Sequence, residues 1–246
     1  MKTYGTIGFP LTHSFSKQYF TEKIAREGIS GAFYYSFPLS SIEALPALLN
    51  DYPSLKGLAV TIPYKEKVLK YVTHLSEEVK QIGAANCIRI KGDELIAFNT
   101  DIIGFEKSFV KKLKPQHKKA LVLGSGGASK AVQYVLKKLG IEFLVVSRNE
   151  NGGENFIHYN RLTEAVIMEY NILINATPLG MSPADDTCPD LPYQLLTANN
   201  YLYDLVYKPA KTLFLQKGEA QGAAIENGFE MLLIQAEENW RIWNAD

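Results

Sequence analysis

Leu121-Val122-Leu123-Gly124-Ser125-Gly126-Gly127 decides how the rest of this chain is read. Three apolar residues run into a turn holding three glycines, and residues 127–139 continue with helical spacing. Glycines let a backbone turn tightly and approach a pyrophosphate, and the helix start behind them favours negative charge. With strands expected over 120–123 and 141–146, the stretch is a βαβ unit. Gly124, Ser125, Gly126, Gly127 and Ala128 are the residues expected against a dinucleotide. Ser129 stands where the usual fingerprint has Gly or Ala, so a purely structural βα turn remains the competing reading.

Outward from that unit, strand-like and helix-like segments alternate along the chain, which predicts α/β architecture. Before it, strands are expected over 3–9, 32–37 and 57–61, with helices over 17–27 and 41–50. Two further strands, 85–91 and 94–99, flank Gly92-Asp93, a hairpin signal. The first part is therefore read as a mixed sheet with an antiparallel pair. A helix over 102–112 leads into the βαβ unit, and later strands are expected over 172–175 and 201–204. Residues 177–197 are rich in Pro, Asp and Ser and read as a long loop. A final helix over 228–243 places Met231, Leu232, Gln235, Asn239 and Trp243 at helical spacing. The expectation is two domains: 1–101 completed by 228–246, and a Rossmann-like dinucleotide domain over 102–227.

Bulk properties exclude several function classes. The 246 residues are 46% hydrophobic and 21% charged, an ordinary globular balance. Lys+Arg and Asp+Glu stand at 26 each, so no overall field draws nucleic acid. The basic cluster Lys111, Lys112, Lys114, Lys118 and Lys119 reads as a solvated helix end. Cys87 and Cys188 form no CxxC pair, which argues against a disulfide framework and fits a reducing cytosol. His13, His74, His117 and His158 are scattered, so no metal is expected. The start of the chain runs directly into a strand with no signal-like segment, and no apolar run is long enough to cross a bilayer. A cytoplasmic protein without nucleic-acid or membrane partners is expected, as monomer or homodimer.

Two further stretches carry reactive groups. Val60-Thr61-Ile62-Pro63-Tyr64-Lys65 offers a lysine and Asn99-Thr100-Asp101 a carboxylate, a pair able to move a proton. With the glycine turn they point to proton-coupled hydride transfer. An NAD-type domain has an acid about 20 residues after the glycine turn to hold the ribose. Here the strand runs into Ser147-Arg148 instead. A guanidinium clamps a 2′-phosphate that a carboxylate would repel, so NADP is expected over NAD. Each residue also has a plainer reading: Arg148 as a surface charge, Lys65 as a solvated helix lysine, Asp101 and Ser16 as helix caps.

Taken as a set, these stretches resemble the shikimate dehydrogenase family along nearly the whole chain. The matching residues are Gly8-Phe9-Pro10 with His13-Ser14-Phe15-Ser16, Val60 to Glu66, Gly83-Ala84-Ala85-Asn86, Asn99-Thr100-Asp101 and Gly124 to Ala128. Asn175-Ala176-Thr177-Pro178-Leu179-Gly180-Met181, Asp204-Leu205-Val206-Tyr207, Asn227-Gly228, Met231 and Gln235-Ala236 complete the series. The resemblance implies reversible, NADP-dependent reduction of 3-dehydroshikimate to shikimate, a step of aromatic amino-acid biosynthesis. It implies that Ser14 and Ser16 hold the substrate carboxylate, that Thr61, Asn86, Asp101 and Gln235 bind ring hydroxyls, and that Tyr207 reaches the substrate. Lys65 would be the acid/base group, paired with Asp101. Ser147 and Arg148 would serve the 2′-phosphate. Asn175, Thr177 and Met181 would line the nicotinamide side, with Gly228 and Met231 nearby. The family's C-terminal helix returns to the first domain.

Several positions depart from the family pattern. Ala59 stands where Asn is usual, Cys87 where a hydroxyl is common, and Phe98 where a small or polar residue is common. Lys17-Gln18-Tyr19-Phe20 replaces a proline-led continuation, Ser147 replaces Asn, and Glu230 replaces glycine. Competing readings are a paralogue that takes quinate or prefers NAD, a methylene-tetrahydrofolate dehydrogenase, and a catalytically silent nucleotide sensor. The last would be expected to lose Lys65 or Asp101, and both are present.

Overall fold

The computed structural model describes residues 1–11, 15–148 and 154–245. Ser14, proposed above for the substrate carboxylate, and its neighbour His13 lie outside them. By mutual contacts the chain groups into two units, Met1–Thr100 with Gln235–Asp246, and Asp101–Ile234.

The first unit contains β1 (Lys2–Gly8), α1 (Phe15–Arg26), β2 (Ala32–Pro38), α2 (Leu45–Asp51), β3 (Leu55–Val60), β4 (His74–Leu75), α3 (Glu77–Ile82), β5 (Cys87–Lys91) and β6 (Glu94–Phe98). Its mixed sheet has the order β2-β1-β3-β5-β6-β4. β1 pairs parallel with β2 and β3, whereas β5 runs antiparallel to both β3 and β6. The hairpin between β5 and β6 turns at Gly92, whose φ of 60° suits glycine. Both faces of the central strands are covered, which explains why β1 reads almost wholly buried. Ile7, Leu58, Val60 and Ile88 pack under Leu45, Leu48 and Val79 on one face. On the other, Tyr4, Phe20, Tyr34, Ala59 and Cys87 pack with Ala236, Ile242 and Trp243 of α8 (Phe229–Trp243). Gly57 of β3 leaves the space that the Trp243 indole fills.

The second unit contains α4 (Asp101–Phe109), β7 (Lys119–Leu123), α5 (Gly127–Lys138), β8 (Glu142–Ser147), β9 (Phe156–His158), α6 (Glu164–Glu169), β10 (Ile172–Asn175), β11 (Tyr201–Asp204), α7 (Leu213–Glu219) and β12 (Ala224–Asn227). All its strand pairs are parallel, in the order β12-β11-β10-β7-β8-β9. The order reverses between β7 and β10, the switch point at which open α/β sheets bind ligands. Leu121, Leu123, Val146, Leu173 and Leu202 pack against Phe214, Leu215 and Ile167. Across the sheet, Phe109 stacks on Tyr201, and Phe105 meets Tyr203 edge to face.

Expected and observed elements differ where the chain is short of pattern. The helix expected over 41–50 is a 3-10 turn, Ile42–Ala44, followed by α2, with Pro46 in the first turn where no donor is needed. The helix expected over 102–112 tightens into a 3-10 turn at Val110–Lys112. Residues 177–197 contain no strand or α-helix, only the 3-10 turn Tyr193–Leu195. No helix among the described residues is long and apolar enough to cross a membrane.

Candidate active site

In the first unit, β1, β3 and β6 point the same way, so their C-terminal ends share one edge of the sheet with the start of the antiparallel β5. Ser16 follows β1, Thr61 and Lys65 follow β3, Asn86 precedes β5, and Thr100 follows β6. That shared edge brings together residues scattered over about ninety positions of sequence. Thr61 donates its amide to Ile7 O at 3.0 Å, and the Lys65 carbonyl accepts from Ala85 N at 2.7 Å. Gly8 has no side chain because the Thr61 methyl stands where one would project. Lys65 is half-buried in the turn between β3 and the 3-10 segment Lys67–Tyr71, outside any α-helix. The plain reading of it as a helix-surface lysine therefore does not hold.

Behind that edge lies a buried amide and hydroxyl network. Asn86 accepts from Thr100 N at 2.7 Å and donates to Gln235 Oε1 at 3.5 Å. Asn239 donates to the same Gln235 oxygen at 3.3 Å, and the Thr100 hydroxyl donates to Asn239 Oδ1 at 2.7 Å. Asn86, Thr100, Gln235 and Asn239 are all buried. Thr100 and Asn239 had no assigned role in the sequence reading. The signal for Asn239 was a polar side chain one turn beyond Gln235 on the inward stripe of α8. Ser16 sits in the first turn of α1, inside the helix rather than capping it, and the Tyr34 phenol is hydrogen-bonded to the Thr6 hydroxyl at 2.5 Å. Burial pushes that phenol well above its ordinary value. Two departures from the family pattern turn out to be neighbours: Ala59 and Cys87 are register partners across β3 and β5, both buried.

In the second unit the proposed cofactor residues leave the C-terminal ends of parallel strands. Gly124 has φ +107°, open to glycine alone, and an added Cβ would meet the Thr177 methyl at 2.9 Å. Its N–H reaches Val146 O at 2.9 Å, and Ala176 N reaches Leu123 O at 2.9 Å, so the β7, β8 and β10 loops are tied together. Gly126 caps α5 without a side chain, its Cβ direction is open, and the first turn of α5 holds no acid. Ser125 and Ser147 hydroxyls stand 3.5 Å apart, and Arg148 is exposed at the end of β8. This set fits a dinucleotide phosphate: amide donors at an open helix start, small hydroxyls, and a guanidinium with no acid at the strand end.

Other proposed residues fall into different surroundings. Asp101 is buried as the first residue of α4, where its charge suits the helix dipole. Asn175 is fully buried and its side chain is committed to the loop that follows it. Thr177 is bound to that amide, whereas Met181 is exposed. Gly228 packs against the Leu205 backbone, which accounts for the absence of a side chain there, and Met231 is buried. Tyr207 is half-buried, and burial raises its phenol.

A family profile described as the shikimate dehydrogenase substrate binding domain matches residues 6–88. The shikimate dehydrogenase (NADP(+)) of Caldicellulosiruptor saccharolyticus is 33% identical, over 99% of this chain and 92% of the relative. The crystal structure of shikimate dehydrogenase from Aquifex aeolicus is 31% identical with a TM-score of 0.88, over 99% of this chain and 92% of that one. That of shikimate 5-dehydrogenase from Thermus thermophilus, in complex with NADP(H) and shikimate, is 30% identical with a TM-score of 0.86, over 99% and 94%. Likeness of this depth over almost the full length of both partners, joined to the two strand-end clusters, places this chain in the shikimate dehydrogenase family.

Proposed function

We propose that this chain catalyses the NADP-dependent, reversible reduction of 3-dehydroshikimate to shikimate in the cytoplasm. Support comes from relatives that carry this activity in their names and from the Thermus structure, which holds NADP(H) and shikimate. The observation that carries the reading is the gathering of Thr61, Lys65, Asn86 and Thr100 at one sheet edge over the buried Gln235. Residues 1–101 with 228–246 form the substrate-binding catalytic domain, and 102–227 form the NADP-binding domain. The unpaired Cys87 and Cys188 suit a reducing compartment.

Ser14 and Ser16 donate to the substrate carboxylate, Thr61, Asn86, Asp101 and Gln235 hold ring hydroxyls, and Tyr207 reaches the substrate. A carboxamide suits a ring hydroxyl because it both donates and accepts. Gln235 is oriented for that task by Asn86 and Asn239. The turn from Gly124 to Ala128 holds the pyrophosphate, Ser147 and Arg148 hold the 2′-phosphate, and Thr177 and Met181 line the nicotinamide side. Gly228 and Met231 support that side by packing, and Asn175 by bracing Thr177. When bound, NADPH supplies the hydride. Lys65, with Asp101 as its carboxylate partner, stabilises charge growing on the substrate oxygen and gives it a proton. In the oxidative direction Lys65 takes the proton back, so that direction gains at higher pH. Lys65→Ala is expected to lower kcat by about 10²–10⁴ while NADP binds as before, as read by steady-state rates and cofactor titration. Near-normal turnover in that variant removes Lys65 from the chemistry.

A further inference from the structure

β11 ends in Asp204, which is fully buried. Its carboxylate accepts three hydrogen bonds: from Val206 N at 2.9 Å, Asn175 Nδ2 at 2.9 Å and Thr212 Oγ1 at 2.5 Å. An ionised carboxylate only accepts, so it fixes which way the Asn175 amide points. With its NH₂ group turned to Asp204 and to Leu179 O at 3.2 Å, Asn175 must present its oxygen to Thr177. There it receives Thr177 N at 3.0 Å and the Thr177 hydroxyl at 2.6 Å. The same hydroxyl receives Leu179 N at 3.3 Å. On the other side, Thr212 caps α7 through Leu215 N, and its side chain stands 3.3 Å from the Cβ direction of Gly180. Segment 177–180 is thus held between the ends of β10 and β11, beside the glycine turn of β7.

We propose that Asp204 is a positioning residue for the reaction: through the Asn175 amide and Thr212 it sets the Thr177–Met181 segment against the nicotinamide half of NADP. The inference rests on the cofactor reading given above. The arrangement is costly in stability, which suits a functional role. Burial raises the Asp204 carboxyl from 3.8 to about 6, and its three donors offset that only in part. The folded state therefore holds this proton more tightly than the unfolded chain, so stability falls as pH rises from 3.8 through 6. The buried phenols within electrostatic reach of it, Tyr193 and Tyr203, are themselves raised by burial and stay neutral. At neutral pH the chain keeps a buried anion among neutral donors.

The test uses the full chain with Asp204→Ala and Asp204→Asn. In Asp204→Ala, amide hydrogen exchange at Thr177 and Leu179 should rise about tenfold while the β7 amides keep their protection. NADP should bind about tenfold more weakly, whereas 2′,5′-ADP, which lacks the nicotinamide half, should bind within about twofold of the parent. Asp204→Asn should recover part of both, because an amide oxygen can still accept from Asn175 and Val206. The parent's kcat/KM is expected to fall on the acid side near pH 6, and Asp204→Asn should erase that limb. Equal weakening of NADP and 2′,5′-ADP, or unchanged exchange at Thr177 and Leu179, overturns the proposal. Should Asp204→Ala not fold, Thr212→Val against Thr212→Ser makes the same comparison, with only Ser expected to keep NADP affinity. A parent protein that binds neither nucleotide sinks the cofactor reading, and the exchange at Thr177 and Leu179 still decides whether Asp204 holds the segment.

Discussion

At the scale of single residues, the proposed preference for NADP rests on Arg148, and two departures from the family pattern are neighbours. Arg148 follows β8 directly, in the place where an NAD-type domain has its ribose-binding acid. Hydrogen bonds to charged groups are worth about 1.5–3 kcal/mol, so Arg148→Ala should raise the KM for NADP by about 10–100-fold. The KM for NAD, measured in the same preparation, should change by no more than about twofold, since no 2′-phosphate is lost. Equal effects on both would return Arg148 to the status of a surface charge. Ala59 and Cys87 belong together at this scale. They face each other across two strands in an apolar layer with Ala236 and Trp243. Restoring only the family's Asn at position 59 buries an amide there, at a cost of about 1–3 kcal/mol in urea unfolding. Adding Cys87→Thr should recover part of that loss, because register partners are coupled. A double variant with the full sum of the two single losses would show that the positions are independent.

Elements with many turns were legible, and those with few were not. The strand before Gly124, helix α5 and the β5–β6 hairpin carry strong local signals: an apolar run into glycines, a 3.6-residue stripe, and Gly92-Asp93. α3, α6 and α7 are six or seven residues long, too short for a periodic stripe to stand out. Their readable mark was instead the cap: the Ser76, Thr163 and Thr212 side chains each accept a backbone amide three residues on. β9 and β12 are three and four residues long and owe their pairing to the sheet rather than to their own composition. α8 is the element with the most to lose. Its Trp243 ring fills the space left by Gly57 and packs on Tyr4, Phe20 and Tyr34. Trp243→Ala should therefore destabilise the protein by about 3–5 kcal/mol in denaturant unfolding. A loss below about 1 kcal/mol would mean that α8 is not a structural part of the first unit.

At the scale of the molecule, most of the residues proposed for the site lie at the strand ends of their own unit's sheet, with Gln235 on α8 and Asp101 at the start of α4. The sequence proposes which residues those are through motif order, because Lys65, Asn86 and Asn99-Thr100-Asp101 stand in the order of the family's motifs. It did not reveal the support beneath them. That Thr100 and Asn239 orient Asn86 and Gln235 depends on α8 reaching a sheet made from the other end of the chain, a long-range pairing with no local signature. The Asp204 network was hidden for the same reason: Asn175 and Asp204 meet only through strand register, and the loop from β11 then returns Thr212 to Asp204. One measurement bears on all of this most directly. Purified protein is given shikimate and NADP while NADPH absorbance is followed, with NAD replacing NADP and quinate replacing shikimate in parallel. Rapid NADPH formation with shikimate, and little with either replacement, is the predicted result. Silence in every cuvette from a protein that still binds NADP would contradict the assigned chemistry, and equal rates with NAD would contradict the role given to Arg148.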